Sequence, residues 1–426
     1  MIGTLRQVRS FTWTIRLLLV NQLAINVGFY MLMPYLATYL TGTLGLATWL
    51  VGLVLGVRNL SQQGMFFFGG SLADRLGYKP MILVGLALRT TGFALLVVAE
   101  SVPALIAASA LTGLAGAFFN PAIRAYLAAE AAERRVEAFA LFNVFYQAGI
   151  LLGPLVGLAL LATDFRIACA VAAIVFALLA LAQLPFLPAR AGQSAGATTS
   201  LLADWRTVLG NRPFLLFSLA MIGSYVLNFQ VYLGLPIEVR RLTGSQTGVT
   251  ALFVLSGLLT VAGQLRVTAW AKARWTPEQA ITGGLALMGL AFLPLALTAH
   301  LPLVPPGGTG LATALAHLVP VLLATALLTL ATMLVYPFEM DTIVTLGGQR
   351  LVGTYYGLYN TLAGIGIAAG NLATGAVIDA GDAIGLPALP WLGLTLTGLA
   401  SALALHRLTR SRRRRTAPPP LVRVTP

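Results

Sequence analysis

Long apolar segments recur along this chain, each long enough to cross a bilayer as a helix. They fall at residues 13–41, 46–70, 79–99, 103–128, 136–163 and 166–187, and again at 212–236, 245–270, 277–299, 312–345, 351–378 and 386–407, separated by charges or by Gly and Pro clusters. A spanning helix needs roughly 20 apolar residues, and it satisfies its own backbone where no water can. The expected fold is therefore all-α, a polytopic membrane protein of twelve transmembrane helices. Composition agrees, because 58% of the 426 residues are hydrophobic and 9% are charged, whereas a soluble domain is about one quarter charged.

The formal net charge of +14 would suggest a nucleic-acid partner in a soluble protein. Here the basic residues lie between apolar runs rather than in an aromatic-rich stripe, so no nucleic acid is expected. They set topology instead, since cytoplasmic loops retain Lys and Arg. With the N-terminus inside, the inner segments hold Arg6, Arg9, Arg75, Lys79, Arg134, Arg135, Arg190, Arg206, Lys272, Arg274, Arg350 and the cluster from Arg410 to Arg415, while the outer loops hold Arg166, Arg240 and Arg241. Both termini are expected to be cytoplasmic in a multi-pass protein of the cell inner membrane, with the tail anchored on anionic lipid. The run from Trp13 to Tyr39 is too long for a signal sequence and reads as the first span. Cys169 stands alone and His300, His317 and His406 are scattered, so neither a metal nor another cofactor is expected. The absence of H-E-x-x-H and G-x-S-x-G motifs disfavours a membrane-embedded enzyme.

The two halves match each other. An offset of 202 carries Asn26, Tyr30 and Pro34 onto Asn228, Tyr232 and Pro236, and an offset of 217 carries Leu141, Asn143, Gly149 and Gly153 onto Leu358, Asn360, Gly366 and Gly370. Internal repeats of this kind belong to secondary transporters. The expected organisation is a six-helix bundle over 1–187, a cytoplasmic linker over 188–211, a second six-helix bundle over 212–407 and a basic tail over 408–426.

The loop after the second segment reads Gly70-Ser-Leu-Ala-Asp74-Arg75-Leu-Gly77-Tyr-Lys79-Pro80. Gly70 permits close helix approach, Asp74 can attract a neighbouring helix N-terminus, Gly77 permits a tight turn, and Arg75 and Lys79 supply inside-positive charge. This stretch resembles the G-x-L-A-D-R-x-G-R-K signature of the major facilitator superfamily, and the resemblance implies a cytoplasmic latch between the halves at Asp74 and Arg75. The second half keeps Lys272 and Pro277 where the first has Arg75 and Pro80, but Ala271 stands where Asp74 would, so a one-sided latch is expected. Gly149, Gly153, Pro154 and Gly157 resemble the G-x-x-x-G-P-x-x-G motif of exporters in that superfamily, on a small-residue face that lets a neighbouring helix come close. The run from Gly56 through Arg58 to Gly64, with Arg89 to Phe93, is similar to drug:proton antiporters of the MdtH type. Asn120 and Ser109 depart from those relatives, which place Asp and Arg there and build a proton relay on them.

Gln22, Asn26, Tyr30, Asn143, Gln147, Asn228, Tyr232 and Asn360 are expected to line a central cavity suited to amphiphilic small molecules. Ionisable groups within spans are functional candidates by default. Glu339, then Asp341, are the candidate proton carriers, with Arg58 as a further coupling candidate; Arg124 and Asp341, matched by the 217 offset, are expected to pair at the cytoplasmic mouth. The reading is a monomeric, proton-coupled exporter working by alternating access. A lipid or metabolite carrier of the same fold is the alternative.

Overall fold

A computed structural model of the chain describes residues 2–32, 35–36, 39–161, 164–190, 200–243, 247–300 and 311–416. The helices are α1 (Ile2–Arg9), α2 (Trp13–Tyr30), α3 (Thr48–Leu76), α4 (Tyr78–Val98), α5 (Val102–Ala131), α6 (Arg135–Leu161), α7 (Phe165–Phe186), α8 (Leu201–Gly210), α9 (Arg212–Phe229), α10 (Gly234–Thr243), α11 (Thr247–Arg274), α12 (Pro277–Leu290), α13 (Leu293–Thr298), α14 (Leu311–Leu346), α15 (Val352–Ala383) and α16 (Leu389–Thr416). No strand occurs among the described residues. Nine described stretches are long and apolar enough to cross a membrane, one of which, Val102–Gly157, holds both α5 and α6. With α2 and α3 packed among them, the arrangement is consistent with twelve crossings.

Two of the expected spans are interrupted. The seventh breaks between α9 and α10, where Pro236 lies in the first turn of the new helix, and the ninth between α12 and α13, where Pro294 does the same. Proline lacks the N–H that continuing a helix requires, yet it is tolerated where a helix starts. Pro34, matched to Pro236 in sequence, lies outside the described residues.

Packing repeats from half to half. α2 lies on α6, α3 on α5, and α4 on α5 and α7; correspondingly α9 lies on α15, α11 on α14, and α12 on α14 and α16. The halves meet where α3 crosses α15 and where α6 crosses α11, again a related pair. Glycines make this possible, because apolar lipid provides no hydrophobic drive and helices associate by close packing. A Cβ at Gly149 or Gly153 would strike Asn26 or Tyr30 of α2, one at Gly157 would strike Met31 just beyond it, and one at Gly366 or Gly370 would strike Ile222 or Val226 of α9. The Gly face around Pro154 therefore packs α6 on α2 within one half. Pro154 stays inside α6, and its carbonyl accepts the Tyr35 hydroxyl at 3.0 Å.

The segment between the halves is more than a tether. α8 is capped by Ser200, stacks Trp205 on Phe67 of α3, and donates the Trp205 Nε1 hydrogen bond to Ser71 Oγ at 2.7 Å. α16 carries the backbone of Arg410–Arg415, and the tail beyond Thr416 lies outside the described residues.

Candidate functional site

The ends of α3, α5, α11 and α14 and the starts of α4, α6, α12 and α15 gather on one face with α8, here termed the linker face. At the turn from α3 to α4, Gly77 adopts φ 96°, a conformation that side chains disfavour. Just before it, Asp74 is 0% exposed. Its carboxylate accepts hydrogen bonds from Gly353 N at 2.9 Å, Thr354 N at 2.7 Å and Thr354 Oγ1 at 2.7 Å. Gly353 and Thr354 open α15, where the first backbone N–H groups have no acceptor of their own. A carboxylate of the first half thus caps a helix of the second, by charge-assisted bonds worth about 1.5–3 kcal/mol each. Gly70 is required for this contact, since a Cβ there would strike the Gly353 carbonyl. Arg75 bonds Asp204 of α8, with Nε at 3.0 Å and Nη2 at 2.5 Å, and so fastens the linker helix. Lys79 donates to the Leu184 carbonyl at 2.6 Å, near the C-terminal end of α7, where positive charge is favoured.

In the second half, Ala271 leaves the position equivalent to Asp74 without a carboxylate, but its neighbour Lys272 pairs with Glu137 of α6 at 2.5 Å. The 217 offset carries Glu137 onto Thr354. The two contacts are therefore equivalent in place and opposite in polarity.

The expected pairing of Arg124 with Asp341 does not form. Asp341 accepts from Arg135 Nε at 2.5 Å, a pair whose side chains are 17% and 19% exposed, while Arg124 donates to Asn360 Oδ1 at 2.9 Å and lies within hydrogen-bond reach of Tyr336. The reason is geometric. Residues matched by the repeat occupy equivalent places in opposite halves, and such residues touch only at the symmetry axis. Among the described residues, the two ion pairs joining the halves, Arg135–Asp341 and Lys272–Glu137, both lie on the linker face. The molecule is closed there.

Behind this closure lies a polar cluster drawn from both halves. Glu339, 3% exposed, accepts from the hydroxyl of Tyr359, with the Tyr225 hydroxyl and Arg124 of α5 beside it. Glu339 lies seven residues from the end of α14, or about 10 Å at 1.5 Å per residue. Glu339 and Asp341 thus diverge as their spacing requires, one inward and one to the start of α6. Asn360 bridges the cluster, accepting from Arg124 and donating to the Tyr356 carbonyl at 2.7 Å.

Nearer the middle, the hydroxyls of Tyr30, Tyr146 and Tyr232 meet across the halves. Tyr232 is 48% exposed and packs beside Phe229 and Phe253. Asn26 donates to the Tyr146 carbonyl at 3.3 Å, Gln147 and Asn228 are half-buried, and Gln22 is buried. Asn143 is a strut rather than open wall: it is buried and donates to Gln264 Oε1 of the opposite half at 2.7 Å. Gln264 in turn donates to the Met333 carbonyl at 2.9 Å.

Arg58 is not part of the Glu339 cluster. Its guanidinium lies 5.2 Å from the ring centre of Phe29 and donates to Gln62 Oε1 at 3.3 Å and to Asn59. Arg89, 6% exposed, lies 5.4 Å from the same ring and 5.7 Å from that of Phe176. The two guanidinium carbons are thus within about 11 Å of each other, where like charges repel by roughly 1.5 kcal/mol at an effective dielectric constant near 20.

Several residues of these networks had little signal in the sequence. Asp204 and Arg135 read as linker and topology charges, and Tyr225, Tyr336 and Tyr359 are aromatics in apolar runs. Gln264 could have been found, as an uncharged polar residue inside a span.

Equivalent helical halves around a shared polar interior define the class, a polytopic membrane transporter built from two repeats. The chain belongs to the Major Facilitator Superfamily, whose profile matches residues 18–371. It is 52% identical over 402 residues, 94% of each chain, to an MFS-type transporter of Mycobacterium tuberculosis (strain CDC 1551 / Oshkosh). It is 31% identical over 389 residues, 91% of this chain and 92% of the relative, to the multidrug resistance protein MdtH of Salmonella newport. The fold is similar to that of the human organic anion transporter MFSD10, with a TM-score of 0.65 at 18% identity over 92% of this chain and 98% of that one. It also resembles a peptide transporter, POT, with a TM-score of 0.68 at 17% identity over 96% and 99%. The protein is accordingly a transporter of small-molecule substrates rather than a member of an enzyme family.

Proposed function

We propose that the protein exports amphiphilic small molecules in exchange for protons, as a monomer in the cell inner membrane with its linker face toward the cytoplasm. The halves, 1–187 and 212–407, rock about the tyrosine-lined interior. The observation that carries this reading is Glu339: a buried carboxylate, hydrogen-bonded by the Tyr359 phenol with a second phenol, Tyr225, and a guanidinium from the opposite half beside it. Ionised, it attracts Arg124 and draws the halves together; protonated, it releases that attraction. A proton taken up at Glu339 thereby favours one arrangement of the halves over the other, and antiport needs such a link.

Export is supported by the likeness to MdtH, a multidrug resistance protein. Orientation is supported by the basic residues collected on the linker face, among them Arg75, Lys79, Arg134, Arg135 and Lys272. The interior of Tyr, Asn and Gln among aliphatic side chains suits amphiphiles of modest polarity. The test is transport of a lipophilic dye in proteoliposomes under an imposed pH gradient. Glu339→Gln is expected to abolish gradient-driven movement while dye still exchanges passively through the protein. Gradient-driven transport at the wild-type rate would remove Glu339 from the mechanism.

A further inference from the structure

Arg58 and Arg89 place two positive charges around one phenylalanine ring, and among the described residues no negative charge meets them. All thirteen Asp and Glu side chains are among the described residues, and none forms an ion pair with either arginine. Arg58 is held by the neutral amide oxygens of Asn59 and Gln62. Arg89 is more than nine-tenths buried, and its Nε and Nη1 have no hydrogen-bond partner. Arg89 lies eleven residues from one end of α4 and nine from the other, at least about 13 Å from either and too deep to reach the bilayer surface. Intramembrane charge left uncompensated is expensive, and guanidinium groups bind oxyanions through paired donors.

From this arrangement we infer that Arg58 and Arg89 form a recognition site for the oxyanion head of an amphiphile, a carboxylate or phosphate whose apolar body lies along Phe29. Arg58, half-buried, is the donor that the ligand reaches. Arg89 strengthens the positive field from behind the ring, and Asn59 and Gln62 hold the Arg58 fork in place until an anion displaces them. The inference deepens the proposed export function by adding negatively charged amphiphiles to its cargo, and it rests on that reading only for the direction of movement.

The test is binding, so it is separable from pumping. The purified full chain in phosphatidylcholine nanodiscs is titrated with hydrocinnamate and with its uncharged amide, a pair alike in shape and different in charge. The carboxylate is expected to bind about tenfold more tightly. Arg58→Gln abolishes the preference, and Arg58→Lys, which keeps the charge without the fork, retains part of it. Arg89→Gln has the same effect if it folds; Arg58→Gln, at the more exposed position, decides the matter if it does not. Adding phosphatidylglycerol to the nanodiscs identifies the natural source of the anion. A weaker apparent affinity for hydrocinnamate makes the lipid phosphate an occupant, and an unchanged one makes it a free organic anion. Equal binding of acid and amide by the wild type, or a preference that survives Arg58→Gln, overturns the proposal. Loss of pH-driven dye transport alone would count against the export reading and leave this one standing.

Discussion

Replacing Asp74 by Asn probes the linker-face closure with little change of volume. Oδ2 of Asp74 takes two of the three bonds to α15 and Oδ1 takes one. An Asn oriented to keep the bonds to Thr354 turns its NH2 toward the Gly353 N–H, donor against donor. The closed state therefore loses one charge-assisted bond, about 1.5–3 kcal/mol, and the charge at the start of α15, about 0.3–1 kcal/mol. Relief from burying an ionised group offsets part of this, leaving roughly 1.4–3 kcal/mol, or about a tenfold to hundredfold shift toward the open linker face. The sole cysteine, Cys169, is buried, so spin labels can be placed selectively in a Cys169→Ala background. Glu133→Cys and Ala273→Cys put labels on exposed linker-face positions of opposite halves. Pulsed dipolar spectroscopy in liposomes should then show a longer-distance population growing by that factor in Asp74→Asn. An unchanged distance distribution in a folded variant refutes the capping argument.

Other perturbations follow from the same contacts. Arg135→Asp and Asp341→Arg should each impair transport and together restore part of it, with a coupling energy of about 1–2 kcal/mol for this partly buried pair in a double-mutant cycle; additive losses would disprove the pairing. Gly70→Leu should hold the linker face open, because its side chain meets the Gly353 backbone, and the distance between labels at Glu133→Cys and Ala273→Cys should lengthen accordingly. Asn143→Leu strands Gln264 and should lower thermal stability by about 1–3 kcal/mol, read as a lower midpoint in detergent, whereas a free cavity residue would show no such loss.

Much of the architecture was legible because membrane burial leaves few options. Apolar runs marked the spans, and the matched glycines Gly149 with Gly366 and Gly153 with Gly370 turned out to be matched packing contacts, α6 on α2 and α15 on α9. Asp74 was legible because a carboxylate in a glycine-bounded turn has few uses other than meeting a helix N-terminus. The partners were less so. Offset arithmetic aligned Arg124 with Asp341, but equivalence under a two-fold axis is not contact, and the partner of Asp341 proved to be Arg135. Glu339 could be nominated as a buried acid, yet Tyr359, which holds it, and Tyr225 beside it look like ordinary aromatics in apolar helices. Arg58 and Arg89 sit 31 residues apart in sequence, and only the fold brings both to Phe29.

The most direct measurement of the central claim follows proton and substrate movement together in proteoliposomes containing the wild-type protein, with an internal pH dye and a fluorescent amphiphile. Coupled export predicts that an imposed pH gradient drives the amphiphile uphill and that amphiphile added alone moves protons the opposite way. Amphiphile movement that ignores the gradient and leaves the internal pH unchanged contradicts the account.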